Sequence, residues 1–189
     1  MKSKILFLLI LISQIQIKAQ NDYAAIIQEC HKKGFFESQK CMIGKEIPAF
    51  EVLTIDGERI KSSQLKNKIT IINFWFMSCP PCIAELDGLN QVVREFEGNT
   101  NIEFLAFSTD SEEALCDNFF SKYELKFKVI PNSKELIVNT FHHKWGFPTT
   151  MIIDRTGKIH AINIGGLSPQ KEASKEIRQF LINGIKECL

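Results

Sequence analysis

The 189-residue sequence lacks an excess of either charge, since 23 Lys and Arg residues face 22 acidic residues and give a formal net charge of +1. It also lacks basic runs, internal repeats and low-complexity tracts. Because nucleic-acid binding requires clustered positive charge, nothing here indicates a DNA or RNA partner. The hydrophobic and charged fractions, 44% and 24%, are ordinary and predict one globular domain with a good-sized core.

The N-terminus lacks an apolar run of the roughly 20 residues that a membrane-spanning helix needs. Residues 1–4 are basic, residues 5–12 are apolar, and the polar stretch that follows ends at the small residue Ala19. This layout predicts a cleaved signal peptide over residues 1–19, without a nearby cysteine for a lipid anchor. Cleavage removes three lysines and no acid, so the net charge becomes −2. We expect an exported protein of the periplasm, or a secreted one, that begins at Gln20.

Among six cysteines, only Cys79 and Cys82 have the two-residue gap of a redox or metal-binding motif. A structural zinc site needs two further ligands, usually a second closely spaced pair. The sequence has no second Cys-x-x-Cys, and the adjacent His142 and His143 lack the usual spacing. The pattern therefore favours a redox motif over a zinc site or a plain structural disulfide.

The motif lies where a buried strand changes into a helix. Residues 69–76 are continuously apolar, which is typical of a central strand, and apolar residues recur at helical spacing from Ile83 to Phe96. A β-hairpin over residues 50–60 precedes this unit. A β-α crossover, a further helix, a hairpin over residues 149–164 and a last helix follow it, which predicts a mixed sheet with helices.

This position explains how the two cysteines could react. Unpaired N–H groups and the helix dipole stabilise a thiolate at the start of a helix and can lower a cysteine pKa from about 8.5 to roughly 7 or below. Cys79 is therefore assigned the attacking role. Cys82 lies one turn further on the same face and would resolve the mixed disulfide. Pro80 and Pro81 fix the turn, since the first helical turn tolerates residues without an N–H.

Several segments around the motif resemble the TlpA/ResA-like branch of the thioredoxin superfamily, which is related to the redoxin and AhpC/TSA proteins. The segments are Gly44-Lys45-Glu46-Ile47-Pro48, Ile71-Ile72-Asn73-Phe74-Trp75, Ile83-Ala84-Glu85-Leu86 and Gly146-Phe147-Pro148-Thr149-Thr150. The resemblance covers about residues 44–187. It implies a thioredoxin-like three-layer α/β/α sandwich with a central mixed sheet and an added N-terminal β-hairpin. We expect a signal peptide at 1–19, an N-terminal extension at 20–43 and this domain at 44–189.

The resemblance also implies further site residues. Pro148 would follow a cis peptide bond and face the cysteines, although by itself it is an ordinary proline at the start of a strand. Phe147 would offer backbone groups to an extended substrate. Trp75 is placed with these substrate-binding residues, although packing beneath the site is the favoured interpretation. Glu85 would exchange protons with the thiols, or it is a solvated helix residue.

Two positions depart from the related proteins. Asn73 occupies the position of the buried acid of thioredoxin and cannot exchange a proton, so Glu85 would take over that task. Ser78 stands where many relatives have Trp, which reduces the apolar platform for partners.

The remaining cysteines and histidines carry weaker expectations. Cys30 and Cys41 are a candidate structural disulfide or, less favoured, an accessory redox pair. Cys116 is expected to be a buried small residue. Cys188 is expected either to stay a free thiol or to form a disulfide with a nearby cysteine. The four histidines are expected to be surface or edge residues of the fold and not metal ligands. They are His31, His142, His143 and His160.

These residues predict a thiol–disulfide oxidoreductase acting on protein disulfides outside the cytoplasm, with no cofactor. The resemblance implies that it is a reductant, including for cytochrome c maturation, with a membrane-bound thiol donor. We expect a monomer or weak dimer. One alternative is a thiol peroxidase, which usually has Thr or Ser where this chain has Phe76. The other is a copper-binding chaperone, whose cysteines are separated by three residues.

Overall fold

The fold is built on a five-stranded mixed sheet with helices on both faces. The computed structural model describes residues 22–166 and 169–189, so the expected signal peptide and mature terminus lie outside the described residues. The strands are β1 (Glu51–Leu53), β2 (Arg59–Lys61), β3 (Ile69–Trp75), β4 (Ile102–Ser108), β5 (Lys128–Ile130), β6 (Thr149–Ile153) and β7 (Ile159–Ile164). The helices are α1 (residues 22–31 as described), α2 (Phe35–Met42), α3 (Pro80–Glu95), α4 (Glu112–Ala114) and α5 (Gln170–Cys188).

Short helical turns complete the chain between these elements. A 3₁₀ turn covers Ser62–Leu65, while π-type turns cover Leu115–Phe119 and Leu136–Thr140. The first π-type turn directly continues α4, whose start is capped by the Ser111 hydroxyl accepting from the Ala114 N–H.

Strand order in the main sheet is β5-β4-β3-β6-β7. Strands β3, β4 and β5 are parallel, whereas β6 runs antiparallel to both β3 and β7. The first hairpin, β1–β2, forms a separate two-stranded sheet. This architecture confirms the predicted sandwich with its mixed sheet and added N-terminal hairpin.

Alternation along β3 divides the core between the two faces of the sheet. Ile69, Ile71 and Trp75 point to one face, where they pack with residues of α3 and α5. Ile72 and Phe74 point to the other face. All seven residues of β3 are buried, which explains why this strand is apolar on both sides.

The second face is covered by α1 and α2, together called the N-terminal helical pair. Tyr23 and Ile27 from α1 and Met42 from α2 are buried in the same cluster as Phe74. A disulfide joins Cys30 in α1 to Cys41 in α2. No helix in residues 22–166 and 169–189 is long and apolar enough to cross a membrane.

On the first face, α3 and α5 cross closely at Gly88. A Cβ atom at this position would overlap the Ser174 carbonyl oxygen and lie 2.8 Å from Ile177 Cγ2. The helix that carries the cysteine motif is therefore held against α5 at a fixed distance.

Replacing Gly88 by Ala tests this contact. Alanine is favoured in a helix by about 1 kcal/mol, but overpacking against a backbone carbonyl typically costs about 1–3 kcal/mol. Because the new Cβ atom would overlap a backbone carbonyl oxygen, the cost falls in the upper part of that range, and we expect Gly88→Ala to lower the free energy of unfolding in urea by about 1–2 kcal/mol. The exposed residue Lys175 on the facing helix, changed to Ala, should alter it by less than about 0.5 kcal/mol. A Gly88→Ala protein at least as stable as the parent would contradict this packing.

Candidate active site

Cys79 and Cys82 lie at the junction of β3 and α3, on one side of the molecule. Their sulfur atoms form a disulfide of 2.03 Å, with the Cα atoms 5.2 Å apart. Both residues are buried, with 2% and 3% of their surface exposed, whereas the flanking Ser78 and Pro80 are exposed. The structure therefore brings the two predicted cysteines into direct bonding contact, in the oxidised form of the pair.

Cys79 is the N-cap residue of α3. Its backbone is extended, at φ −93° and ψ 104°, and its Sγ accepts a hydrogen bond of 3.2 Å from the Cys82 N–H. The 16-residue helix places the positive end of its dipole at the same point. Pro80 and Pro81 occupy its first two positions, where no N–H is needed within the helix. After reduction, this environment would favour a thiolate on Cys79.

Glu85 lies one turn after Cys82 on α3 and is only 3% exposed. Its Oε2 atom has no hydrogen-bond partner within the described residues. Burial raises the pKa of Glu85 to about 8, and the nearby charge of Glu176 adds to the rise. A carboxyl group with this pKa can hold or release a proton near neutral pH, which an exposed glutamate cannot do.

The Phe147–Pro148 loop precedes β6, and its peptide bond is cis. Gly165, at the end of β7, donates its N–H to the Pro148 carbonyl at 3.0 Å. A Cβ atom on Gly165 would lie 2.5 Å from Pro148 Cγ and would overlap Glu85 Oε1. The absence of a side chain at Gly165 therefore lets this loop and the buried carboxyl group meet.

Gly166 makes the corresponding approach to the start of α3, since a Cβ atom there would lie 3.4 Å from the Pro81 ring. Sequence reasoning did not identify Gly165 or Gly166 as site residues. The pair Gly165-Gly166 directly after a strand was the available signal, because adjacent glycines often mark a close backbone approach.

Aromatic side chains surround the junction. The rings of Phe76 and Phe147 meet edge to face at 5.4 Å, and both pack against the core cluster that contains the cysteines. Trp75 is 1% exposed and its ring lies 4.7 Å from that of Phe119. A fully buried ring supports the site from below and offers no surface to a partner, so the structure favours packing beneath the site over substrate binding for Trp75.

Asn73 is buried in β3 and donates a hydrogen bond of 2.9 Å to Thr150 Oγ1 on the neighbouring strand. It is thus a satisfied core amide, and Glu85, on α3 itself, is the buried carboxyl group among the described residues.

Two expectations about the remaining side chains were wrong. Cys116 is exposed and not buried, because it lies on the outer side of the π-type turn while Leu115 and Phe119 fill the core. His143 is 9% exposed and not a surface residue, because three aromatic rings enclose it. Among the described residues, no three His, Cys, Asp or Glu side chains are arranged to hold a metal ion.

The buried Glu85 generates a prediction about stability. The folded protein keeps a proton on Glu85 up to about pH 8, while the unfolded chain releases it near pH 4.5. Its favourable contribution is thus complete below pH 4.5 and is lost as the pH rises towards 8. Glu85→Gln cannot ionise at this position. We therefore expect its free energy of unfolding, relative to that of the parent, to rise by on the order of 3 kcal/mol between pH 5 and pH 9.

The measurement is urea denaturation of both oxidised proteins at the two pH values. Because the two proteins share every other titrating group, the pH dependence of the difference between their free energies of unfolding reports on Glu85. A difference that does not change with pH would show that Glu85 ionises normally.

Comparisons with known proteins agree with this geometry. A model of the AhpC/TSA family matches residues 43–162. A thiol-disulfide oxidoreductase ResA of Bacillus cereus is 34% identical over 128 residues, covering 67% of this chain and 73% of that protein. The thioredoxin-like protein YneN of Bacillus subtilis is 26% identical over 133 residues, or 70% and 77% of the two chains.

Solved structures show the same fold. A thiol:disulfide interchange protein of the thioredoxin family from Chlorobium tepidum TLS superposes with a TM-score of 0.57 at 24% identity, covering 72% of this chain and 95% of that chain. StoA from Bacillus subtilis gives 0.55 at 21%, covering 70% and 96%. The similarities favour neither the peroxidase nor the copper chaperone. The chain belongs to the AhpC/TSA family of thioredoxin-like proteins and is a thiol–disulfide oxidoreductase related to the ResA enzymes.

Proposed function

We propose that the enzyme reduces disulfides of substrate proteins outside the cytoplasm, with Cys79 as the attacking residue and Cys82 as the resolving residue. The observation that carries this assignment is the hydrogen bond from the Cys82 N–H to Cys79 Sγ at the start of α3. The same N–H and the helix dipole would stabilise negative charge on Cys79 once the disulfide is reduced. Cys82 lies within the helix and receives less of this stabilisation.

The reaction follows from these roles. The Cys79 thiolate attacks one sulfur of the substrate disulfide, so a mixed disulfide forms and the other substrate sulfur leaves as a thiolate. Cys82, after losing its proton, attacks Cys79 Sγ and releases the second substrate sulfur. Two electrons pass to the substrate, and the Cys79–Cys82 disulfide of the present structure is the product. A dithiol donor must then reduce it to complete the cycle.

Glu85 is proposed to take the proton from Cys82 during resolution. Its buried position one turn after Cys82 and its pKa of about 8 support this role, because a group that titrates near the working pH exchanges protons efficiently. Phe147 and Pro148 are proposed to bind the substrate backbone. The approach of Gly165 to both Pro148 and Glu85 places this loop beside the reactive helix.

The cellular setting is part of the proposal. The basic and apolar residues 1–19 support export to the periplasm, with residues 20–43 as an extension of the domain. A membrane-bound thiol donor, a reducing role and substrates that include cytochrome c precursors follow the resemblance to the ResA branch. We propose that the protein acts as a monomer or weak dimer.

Trapping of the mixed disulfide tests the two cysteine roles. We expect Cys82→Ser to accumulate a covalent complex with a synthetic disulfide peptide, because the resolving thiol is absent. Cys79→Ser should accumulate no more than the double variant, which serves as the blank for reaction at the exposed Cys116. Non-reducing electrophoresis and mass spectrometry identify the complex. Trapping by Cys79→Ser instead would reverse the roles, and trapping by neither would remove the proposed mechanism.

The role of Glu85 is tested by the pH dependence of the resolving step. We expect Glu85→Gln to slow release of reduced peptide by about 100-fold at neutral pH, as is typical after loss of a general base. Formation of the mixed disulfide should change much less, which rapid acid quenching can measure. The nearby exposed residue Asp87, changed to Asn, provides the control. An unchanged rate and pH profile would contradict a proton-transfer role.

A further inference from the structure

The N-terminal helical pair contacts the segment immediately before the proposed substrate loop. This segment, residues 141–146, is called the pre-loop segment. Tyr23 of α1 donates from its hydroxyl to the Phe141 carbonyl at 3.2 Å in a buried position. Trp145 donates from Nε1 to Ser38 Oγ of α2 at 2.7 Å, also buried. Each helix of the pair therefore binds the pre-loop segment through a side-chain hydrogen bond.

A third contact lies beside the disulfide of the pair. His31, next to Cys30, places its Nε2 atom 3.2 Å from the His142 carbonyl, and its ring lies 5.1 Å from that of Trp145. The backbone of His142 is left-handed, at φ 47°, which is costly for a residue with a side chain. The helix pair thus contacts the pre-loop segment at its most strained point.

His143 continues these contacts towards the substrate loop. Its Nε2 atom lies 2.7 Å from the Gly146 carbonyl, and because a carbonyl only accepts, Nε2 carries the proton and donates it. The ring lies 5.6 Å from Trp145 and 5.5 Å from Phe147. Burial lowers the pKa of His143 to about 4, so the ring is neutral at physiological pH.

The Gly146 carbonyl is held from two sides. Besides the bond from His143, it accepts a hydrogen bond of 2.8 Å from Thr149 Oγ1. One donor precedes the Phe147–Pro148 loop in the sequence and the other follows it. The two hydrogen bonds therefore hold the proposed substrate loop from both of its ends. Gly146 itself is left-handed, at φ 88°, which a glycine adopts without strain.

We propose that the disulfide-linked helical pair positions the Phe147–Pro148 loop for substrate binding, through Trp145 and His143. The inference rests on the proposed role of that loop in binding the substrate backbone. His143 and Trp145 are positioning residues, since they act through the Gly146 carbonyl and the Phe147 ring. The helical pair is thereby a part of the substrate-binding apparatus, although it covers the face of the sheet opposite α3.

The first test separates binding from chemistry. Enzyme reduced at Cys79–Cys82, with Cys30–Cys41 intact by mass spectrometry, is mixed with a synthetic disulfide peptide in single turnover. His143→Phe keeps a ring but loses the donor, and we expect a half-saturating peptide concentration about 5- to 10-fold higher. The limiting rate, the redox potential of the dithiol and the rate with the small disulfide dithiobis-nitrobenzoate should not change. His143→Gln, which can donate to the Gly146 carbonyl, should restore most of the binding.

The second test addresses the helical pair itself. Ser38→Ala removes the acceptor of the Trp145 N–H, far from Cys79 and Cys82 in sequence, and should raise the half-saturating concentration about 3-fold or more. Asn90→Ala is the matched control, since Asn90 is buried and its side chain bonds the Glu124 carbonyl and the Lys126 N–H. It should lower thermal stability without changing peptide binding.

The outcomes are distinguishable. If N-methylation of the peptide amides that flank the attacked cysteine leaves peptide binding unchanged, the proposed binding of the substrate backbone by the loop fails and the inference fails with it. If N-methylation weakens binding but either His143→Phe or Ser38→Ala does not, only the positioning role is overturned. The positioning role is also overturned if Asn90→Ala weakens peptide binding as much as His143→Phe and Ser38→Ala do, or if His143→Gln does not restore binding. If His143→Phe does not fold, the comparison of peptide binding by Ser38→Ala and by Asn90→Ala decides the question.

Discussion

The hydrogen bond from the Cys82 N–H to Cys79 Sγ is the interaction on which the rest of the site depends. It exists because a fully buried strand, β3, is separated by only four residues from a helix whose first two positions are prolines. The buried strand fixes the sulfur in space, and the helix start supplies the unpaired donor. Much of the remaining structure serves to hold α3 in place, including its close crossing with α5 at Gly88.

Around this junction, the site combines buried side chains with solvent-exposed ones. The cysteines and Glu85 are buried, while Ser78 and Pro80 are exposed and Phe147 is partly exposed. Burial gives the carboxyl group its raised pKa, since the charged form cannot be solvated there. Ser78, Pro80 and Phe147 thus form the solvent-exposed edge of the site. The two glycines after β7 permit this arrangement, because any side chain at Gly165 would displace the loop or the carboxyl group.

The sequence predicted those parts of the site that depend on residues close together in the chain. The apolar run before Cys79 and the helical periodicity after it predicted the strand–helix junction, and the resemblance supplied Glu85 and Pro148. Contacts between distant segments were not predictable, because no local pattern records them. His143 follows a second histidine and looks like a surface residue, yet packing against the distant Phe74 encloses it together with its neighbours Trp145 and Phe147. Cys116 was predicted on the wrong face of its helix, since Leu115 and Phe119 fill the core and leave the Cys116 side chain exposed.

The pairing of β3 with β6 has a consequence for how such proteins diverge. These strands are adjacent and antiparallel, with Asn73 opposite Thr150 and their side chains hydrogen-bonded. The cysteine motif follows one strand and the Phe147–Pro148 loop precedes the other, so backbone pairing sets the alignment of the two independently of the lengths of the loops that connect the elements between them. Insertions and deletions in those connecting loops would leave the alignment intact, whereas a one-residue slip within either strand would destroy it. The lengths of these loops are therefore less constrained than the strand register.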